Sequence, residues 1–266
     1  MFKRIWAIGD IHGSYVPIEN FWRRNKDNID FSSETDCLIL LGDVGTNYFL
    51  NSRDKKFKQK LQKYPFTYFC IRGNHEERPS LLAKIDLEEW RTEDFFENKV
   101  YVEKKYPNIK YALDEVAIYN INNYRTLIIP GAYSVDKNYR LANHWNWFEQ
   151  EQLSKEEMDC GRYIIEQDPA FDLVLSHTCP ISFEPTHLFL PQINQHTVDK
   201  SMERYLGEIE YKIDYKLWLW GHFHNYIVYP RLENKQCIML SDGKEVINVL
   251  ERLNILNDFS IEHILY

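Results

Sequence analysis

The chain of 266 residues contains no apolar stretch approaching the ~20 residues that a membrane-spanning helix needs, so no membrane segment of that kind is expected. The first residues, Met1-Phe2-Lys3-Arg4-Ile5-Trp6, lack the apolar core of a signal peptide and run straight into a strand pattern. A cytoplasmic protein is the expectation. Cysteine is sparse and odd in number: Cys37, Cys70, Cys160, Cys179 and Cys237, with no Cys-x-x-Cys pair. That argues for reduced core thiols rather than a disulfide framework. Internal repeats, low-complexity tracts and linkers rich in Gly, Ser or Pro are all missing, which leaves one domain over residues 1–266. A basic excess is missing too. The net charge of −8 argues against non-specific binding to polyanions, so long nucleic acid is a disfavoured partner.

What the chain does have is 44% hydrophobic residues, enough for a sizeable single core. Five strand-like apolar runs end in glycine or serine beside metal-ligand residue types. Ile5–Ile8 leads into Gly9-Asp10-Ile11-His12-Gly13, and Cys37–Leu41 leads into Gly42-Asp43. The run from Phe66 to Ile71 leads through Arg72 into Gly73-Asn74-His75-Glu76. Leu173–Leu175 ends in Ser176-His177, and Leu217–Trp220 in Gly221-His222-Phe223-His224. The ends of buried strands are where α/β proteins place their sites, so one polar site is expected there.

The order of elements supports this. Phe2–Ile8 reads as a central strand. Ser14 is placed to cap a helix through about Lys26, and a second helix runs from Ser52 to Tyr64. Strand, helix, strand, helix, strand is a doubly wound pattern. The short runs Val100–Glu103, Lys110–Leu113, Val116–Ile121 and Arg125–Ile129 then read as a second, antiparallel or mixed sheet, with Asn122-Asn123 as a hairpin turn. Phe148–Gln167 and Val198–Ile213 read as helices. Runs within 226–250 read as strands completing the second sheet. Residues 178–197, with three prolines, read as an irregular loop near the site.

Carboxylate oxygen and imidazole nitrogen together suit Mn²⁺, Fe or Zn²⁺ better than Ca²⁺ or Mg²⁺. Asp10, His12, Asp43, Asn74, His177, His222 and His224 make seven candidate ligands, more than one metal needs. They suit two ions about 3.5–4 Å apart, sharing a carboxylate.

In order and spacing, these five blocks resemble the calcineurin-like metallophosphoesterases. The resemblance runs from about residue 4 to 224. Each block alone is weak, because an Asp-x-His or His-x-His is common in turns and on surfaces; five in order are specific. The resemblance implies a four-layer αββα sandwich of two mixed β-sheets flanked by helices. It implies two divalent metals, Mn²⁺ first with Fe or Zn²⁺ as alternatives. Asp10, His12 and His224 would hold one, Asn74, His177 and His222 the other, and Asp43 would bridge. A hydroxide bridging the metals would attack phosphorus in line. His75 would face the leaving oxygen as general acid or charge stabiliser, and Arg72 would clamp phosphate.

One departure from the phosphoprotein phosphatase branch is evident. That branch continues its second block as Gly-Asp-x-x-Asp-Arg-Gly, whereas this chain reads Gly42-Asp43-Val44-Gly45-Thr46-Asn47. Asn47 remains a candidate phosphate contact without the charge. Replacement charge is sought in the stretch after Ile129, where Lys137 and Arg140 are candidate substrate contacts. Tyr133, Tyr139, Trp145 and Trp147 there are candidate walls or base platforms. His144, His187, His196 and His263 carry no motif and read as ordinary surface or core histidines. Three functions follow in order of preference. The first is a phosphomonoesterase or phosphatase acting on a phosphorylated protein, small molecule or nucleotide. The second is a phosphodiesterase or nuclease. The third is a non-catalytic scaffold of the same fold.

Overall fold

The first three apolar runs are strands β1 (Arg4–Ile8), β2 (Asp36–Leu41) and β3 (Thr67–Ile71), and every residue of β2 and β3 is buried. Continuous apolar runs of this kind belong to parallel strands covered on both faces, and β1, β2 and β3 do pair in parallel. Helices α1 (Val16–Asn25) and α2 (Ser52–Leu61) make the crossovers. The first helix begins one residue after Tyr15, and no side chain caps it; Ser14 does not take the expected role. Pro17 in the first turn, where its missing N–H costs nothing, marks the start instead.

The computed structural model describes residues 1–232 and 234–262; His263 lies outside them. The remaining strands are β4 (Trp90–Phe95), β5 (Asn98–Glu103), β6 (Ile109–Tyr111), β7 (Ala117–Ile121), β8 (Tyr124–Ile129), β9 (Leu173–Ser176), β10 (Leu217–Trp220), β11 (Ile227–Val228), β12 (Gln236–Met239) and β13 (Ile247–Asn248). The remaining helices are α3 (Pro79–Ile85), α4 (Lys137–Ala142), α5 (Lys155–Gln167), α6 (Ser201–Lys212) and α7 (Val249–Glu262). Among the described residues the strands form two mixed sheets. Seven lie in the order β13-β1-β2-β3-β6-β5-β4, and six in the order β11-β12-β10-β9-β8-β7.

The division between sheets falls later than the sequence pattern suggests. β5 and β6 extend the first sheet, since β6 pairs in parallel with β3, and only β7 and β8 found the second. β13 likewise pairs antiparallel with β1 in the first sheet rather than completing the second, and the chain turns helical at Val249. The two inner faces meet in one apolar layer. Ile5, Ile39, Phe69 and Ile71 from one sheet pack on Ile128, Leu175, Leu219 and Ile238 from the other. The outer faces are covered by α1 and α2 on one side, through Ile18, Phe57 and Leu61, and by α5 and α6 on the other, through Met158, Ile165, Met202 and Leu206. That is the four-layer sandwich. Helix α5 starts at Lys155 rather than Phe148, because Ser154 and Glu157 close a capping box there. Cys37, Cys70, Cys179 and Cys237 are buried free thiols and Cys160 is an exposed one. No described helix is long and apolar enough to cross a membrane.

Candidate metal centre

The parallel strands of both sheets point their C-terminal ends at the same edge of the sandwich. Asp10 and His12 follow β1, Asp43 follows β2, Asn74 and His75 follow β3, His177 follows β9, and His222 and His224 follow β10. Three of the glycines at these ends clear space for a ligand side chain from another strand end, while Gly9 lies against the backbone of Leu240 and Ser241. A Cβ on Gly42 would lie 2.1 Å from His177 Nδ1, one on Gly73 2.1 Å from Asp43 Oδ1, and one on Gly221 2.4 Å from Asp10 Oδ2. The block pattern Gly-Asp, Gly-Asn and Gly-His is therefore steric. Four of the seven predicted ligands, His12, Asp43, His222 and His224, also have positive φ between 44° and 70°. Such backbone is costly for a side chain other than glycine and concentrates at functional sites.

Three overlapping groups have ligand atoms within 4.8 Å of one another: Asp10–His12–His224, His12–Asp43–His75, and Asp10–Asp43–His177. Asn74 and His222 join through the Asn74 carbonyl oxygen, which lies 2.9 Å from His177 Nε2 and 3.1 Å from His222 Nδ1. Asp10, Asp43, Asn74 and His177 are buried, while His12 and His224 stand exposed at the mouth.

The protonation pattern is set from behind. His177 Nδ1 donates to the Leu41 carbonyl at 2.7 Å, which leaves Nε2 as the inward atom. Glu151 accepts from the Ser134 hydroxyl, the Ser134 amide and Trp147 Nε1. With its own proton given to Glu151, the Ser134 hydroxyl must accept from Asn74 Nδ2 (2.9 Å). That turns Asn74 Oδ1 toward the cluster. With His177 neutral, its inward Nε2 lone pair, the Asn74 carbonyl and two carboxylates are acceptors meeting acceptors. A proton on His177 or a metal cation between them relieves this, and mixed nitrogen and oxygen donors suit a transition metal or Zn²⁺. The residues present fit a divalent metal site.

The same crowding shifts the titrations. Burial works against a charge on His177, yet Asp43, Asp10 and the Leu41 carbonyl hold its pKa up at about 9. Burial and the His177 charge keep His222 well below the usual range. Asp43 stays well below the ordinary carboxylate range despite its burial, because His177, His75 and His12 face it. Glu76, raised to about 7 by burial and by Asp43, accepts from the Gly73 and Gly45 amides and ties the second and third blocks together.

The predicted substrate residues divide. Arg140 sits on α4, fully buried, with Nε on Asp136 at 2.9 Å and Nη2 against His75 Nε2. Guanidinium only donates, so His75 Nε2 accepts there. Burial, aided by Arg140, takes His75 down to about 4, so the ring is neutral rather than the protonated group expected. The other three do not reach the cluster. Arg72 is 3% exposed and turns into the protein. It pairs with Asp114 at 3.3 Å and donates to the Glu151 carbonyl at 2.7 Å, so it braces the site from behind instead of clamping phosphate. Asn47 lies buried in a small recess with Arg72, away from the ligands. Lys137 stacks on Trp147, 3.8 Å from the ring centroid. Trp147 itself serves Glu151, while Tyr139 and Trp145 form an exposed edge-to-face pair. Sequence reasoning missed Ser134, Glu151 and Asp136. Only the i, i+4 spacing of Asp136 and Arg140 carried a signal.

A cleft of about 430 Å³ opens over the cluster, walled on one side by the 184–203 segment that contains most of the predicted loop. A smaller recess of about 170 Å³ lies on the other side of His12 and His75, lined by Tyr48, Phe49, Arg140 and Trp145.

A family profile described as calcineurin-like phosphoesterase matches residues 3–226, and the chain belongs to that family. The class is thus a metal-dependent phosphoesterase. Among solved structures, the phosphopantetheinyl hydrolase of Mycobacterium tuberculosis is 14% identical with a TM-score of 0.50, covering 93% of this chain and 95% of its own. The protein TT1561 of Thermus thermophilus is 12% identical with a TM-score of 0.51, covering 95% and 96%. At these identities the likeness is one of fold. No curated protein matches the chain.

Two variants test the framework. Ser134→Ala removes the acceptor that orients Asn74, and Mn²⁺ affinity measured by calorimetry is expected to fall about 10- to 100-fold. Arg72→Ala leaves the Asp114 carboxylate buried without its partner and is expected to cost ~3–5 kcal/mol in urea unfolding. A raised KM at unchanged stability would restore the clamp.

Proposed function

We propose that the chain is a phosphomonoesterase that works with two divalent metals, Mn²⁺ first among them with Fe or Zn²⁺ as alternatives. Asp10, His12 and His224 would hold one, Asn74, His177 and His222 the other, with Asp43 shared. Metals bound there supply Lewis-acid chemistry, neutralising phosphate charge and lowering the pKa of water.

The observation that carries the monoester reading is Arg140. A monoester dianion brings more charge than a diester, and Arg140 is the guanidinium at the edge of the acceptor cluster. Its planar fork matches two phosphate oxygens. Asp136 holds the fork in register by an i, i+4 pair. Contact with His75 places the same fork beside the ring that the family pattern puts at the leaving oxygen. His75 is in turn held through its backbone amide, which donates to Asp43 Oδ1 at 2.8 Å. A phosphate drawing Arg140 toward itself frees His75 Nε2 to face the departing oxygen. Arg140 thus occupies the role that Asn47 vacates in the second block.

A diesterase is the second reading, favoured by the recess beside Tyr48, Phe49 and Trp145. Together with the main cleft it offers room on both sides of His75. The compartment proposed is the cytoplasm and the partner a phosphorylated small molecule, nucleotide or protein.

With Mn²⁺ supplied, para-nitrophenyl phosphate is expected to be hydrolysed faster than its bis-ester. Arg140→Ala is expected to lower kcat/KM for the monoester about 100-fold, in line with loss of a preorganised charge at the reacting group. Lys137→Ala is expected to stay within about twofold, since its charge is spent on Trp147. Hydrolysis of the bis-ester alone would overturn the monoester assignment.

A further inference from the structure

The apolar lining of the main cleft differs in chemistry from the metal ligands. Leu188, Phe189, Leu190, Ile193, Val198 and Phe223 line it, with the rings of Phe189 and Phe223 stacked at 6.2 Å and 23°. Its charged groups are mainly acidic: Glu184, Asp199 and Glu203, with Asp136 on the facing side. Among the described residues of the wall the one cation, Lys200, is taken up by Glu184 at 2.8 Å. A second phosphate or a carboxylate on the substrate would find no free positive partner among them.

Glu203 is the exceptional group. It lies on α6, is 5% exposed, and lines the cleft. Its Oε1 accepts from the Thr178 hydroxyl at 2.7 Å, one residue beyond His177. Among the described residues its Oε2 has no hydrogen-bond partner, and it is screened from solvent, so a small turn of the side chain is needed to present it to the cleft. A buried acceptor left unmade costs free energy that a bound donor would recover. A helix core position has no need of a carboxyl: Met202, Tyr205, Leu206 and Ile209 fill the rest of that face.

We infer that Glu203 is the specificity-determining residue of an alcohol-binding subsite. The substrate class is a phosphate ester whose alcohol part has an apolar, planar body and carries an amine or other N–H donor that reaches the free Glu203 oxygen. This rests on the phosphoesterase reading above and narrows its substrate. The apolar wall receives the body, the carboxyl receives the N–H, and the acidic surroundings reject anionic alcohols such as acidic phosphopeptides. The hydrogen bond is to a carboxyl group shielded from water, the setting in which rejection of an analogue lacking the donor is strongest.

The test uses three phenyl phosphates with similar leaving groups, carrying at the para position a 2-aminoethyl, a propyl or a 2-carboxyethyl group. With metal-loaded wild-type protein, kcat/KM is expected to fall in that order, with the amine about tenfold or more above the propyl compound, as for a hydrogen bond to a charged group. Glu203→Gln is expected to bring the amine and propyl esters within about threefold of each other, and Glu203→Asp to give an intermediate ratio. The same order measured by calorimetric binding decides the matter independently of turnover. If no ester is hydrolysed but the amine still binds best and loses its advantage in Glu203→Gln, the subsite stands and the phosphomonoesterase reading falls. An amine that neither binds nor reacts better than the propyl compound, or an advantage that survives in Glu203→Gln, overturns the subsite. Should Glu203→Gln fail to fold, Glu203→Asp carries the comparison, and an unchanged amine advantage there overturns it equally.

Discussion

The structure is organised around a buried cluster of ligand atoms, most of them acceptors, at the strand ends. The Asn74 carbonyl, the carboxylates of Asp10 and Asp43 and the ring nitrogens of His177 and His222 converge, and a proton on His177, whose pKa is held at about 9, or a metal ion balances them. Such an arrangement is unfavourable in a protein interior unless a cation occupies it. The surrounding residues keep it from relaxing. The Leu41 carbonyl fixes the His177 tautomer, and the Glu151–Ser134 pair fixes the Asn74 amide. His12, Asp43, His222 and His224 are held in left-handed backbone, each at a cost on the order of 1–3 kcal/mol that the fold must offset. The inner apolar layer between the sheets is what holds these strand ends in place.

The fold and the site were legible to different degrees. The parallel core was legible because buried strands read as unbroken apolar runs, as Cys37–Leu41 does. The ligand blocks were legible because His177, Asp43 and Asp10 enter the Cβ space of Gly42, Gly73 and Gly221, which makes glycine obligatory there and marks those blocks. The assignment of β5 and β6 to a sheet was not legible. Both sheets draw on the same short apolar runs, and only the pairing of β6 with β3 decides between them. β4 escaped notice because Trp90–Phe95 is an edge strand with polar and charged residues, Arg91, Thr92 and Asp94, on its exposed positions.

Residue roles outside the ligand set were the least legible. Arg72 sits in the right block and has the right chemistry for phosphate, yet Asp114, distant in sequence, turns it inward. Arg140 carries no motif, and only the turn of α4 against the third block brings it to His75. Ser134 and Glu151 orient a ligand without touching the cleft's chemistry themselves. Long-range partners of this kind leave no periodic trace in one sequence. They appear only once the strand ends are assembled.

The most direct test of the central claim is anomalous diffraction from crystals of the protein grown with Mn²⁺. Two peaks about 3.5–4 Å apart are expected, with the Asp43 carboxylate between them. One peak would lie against Asp10, His12 and His224 and the other against Asn74, His177 and His222. No peak among these residues, or a single peak that Asp43 does not touch, would contradict the claim.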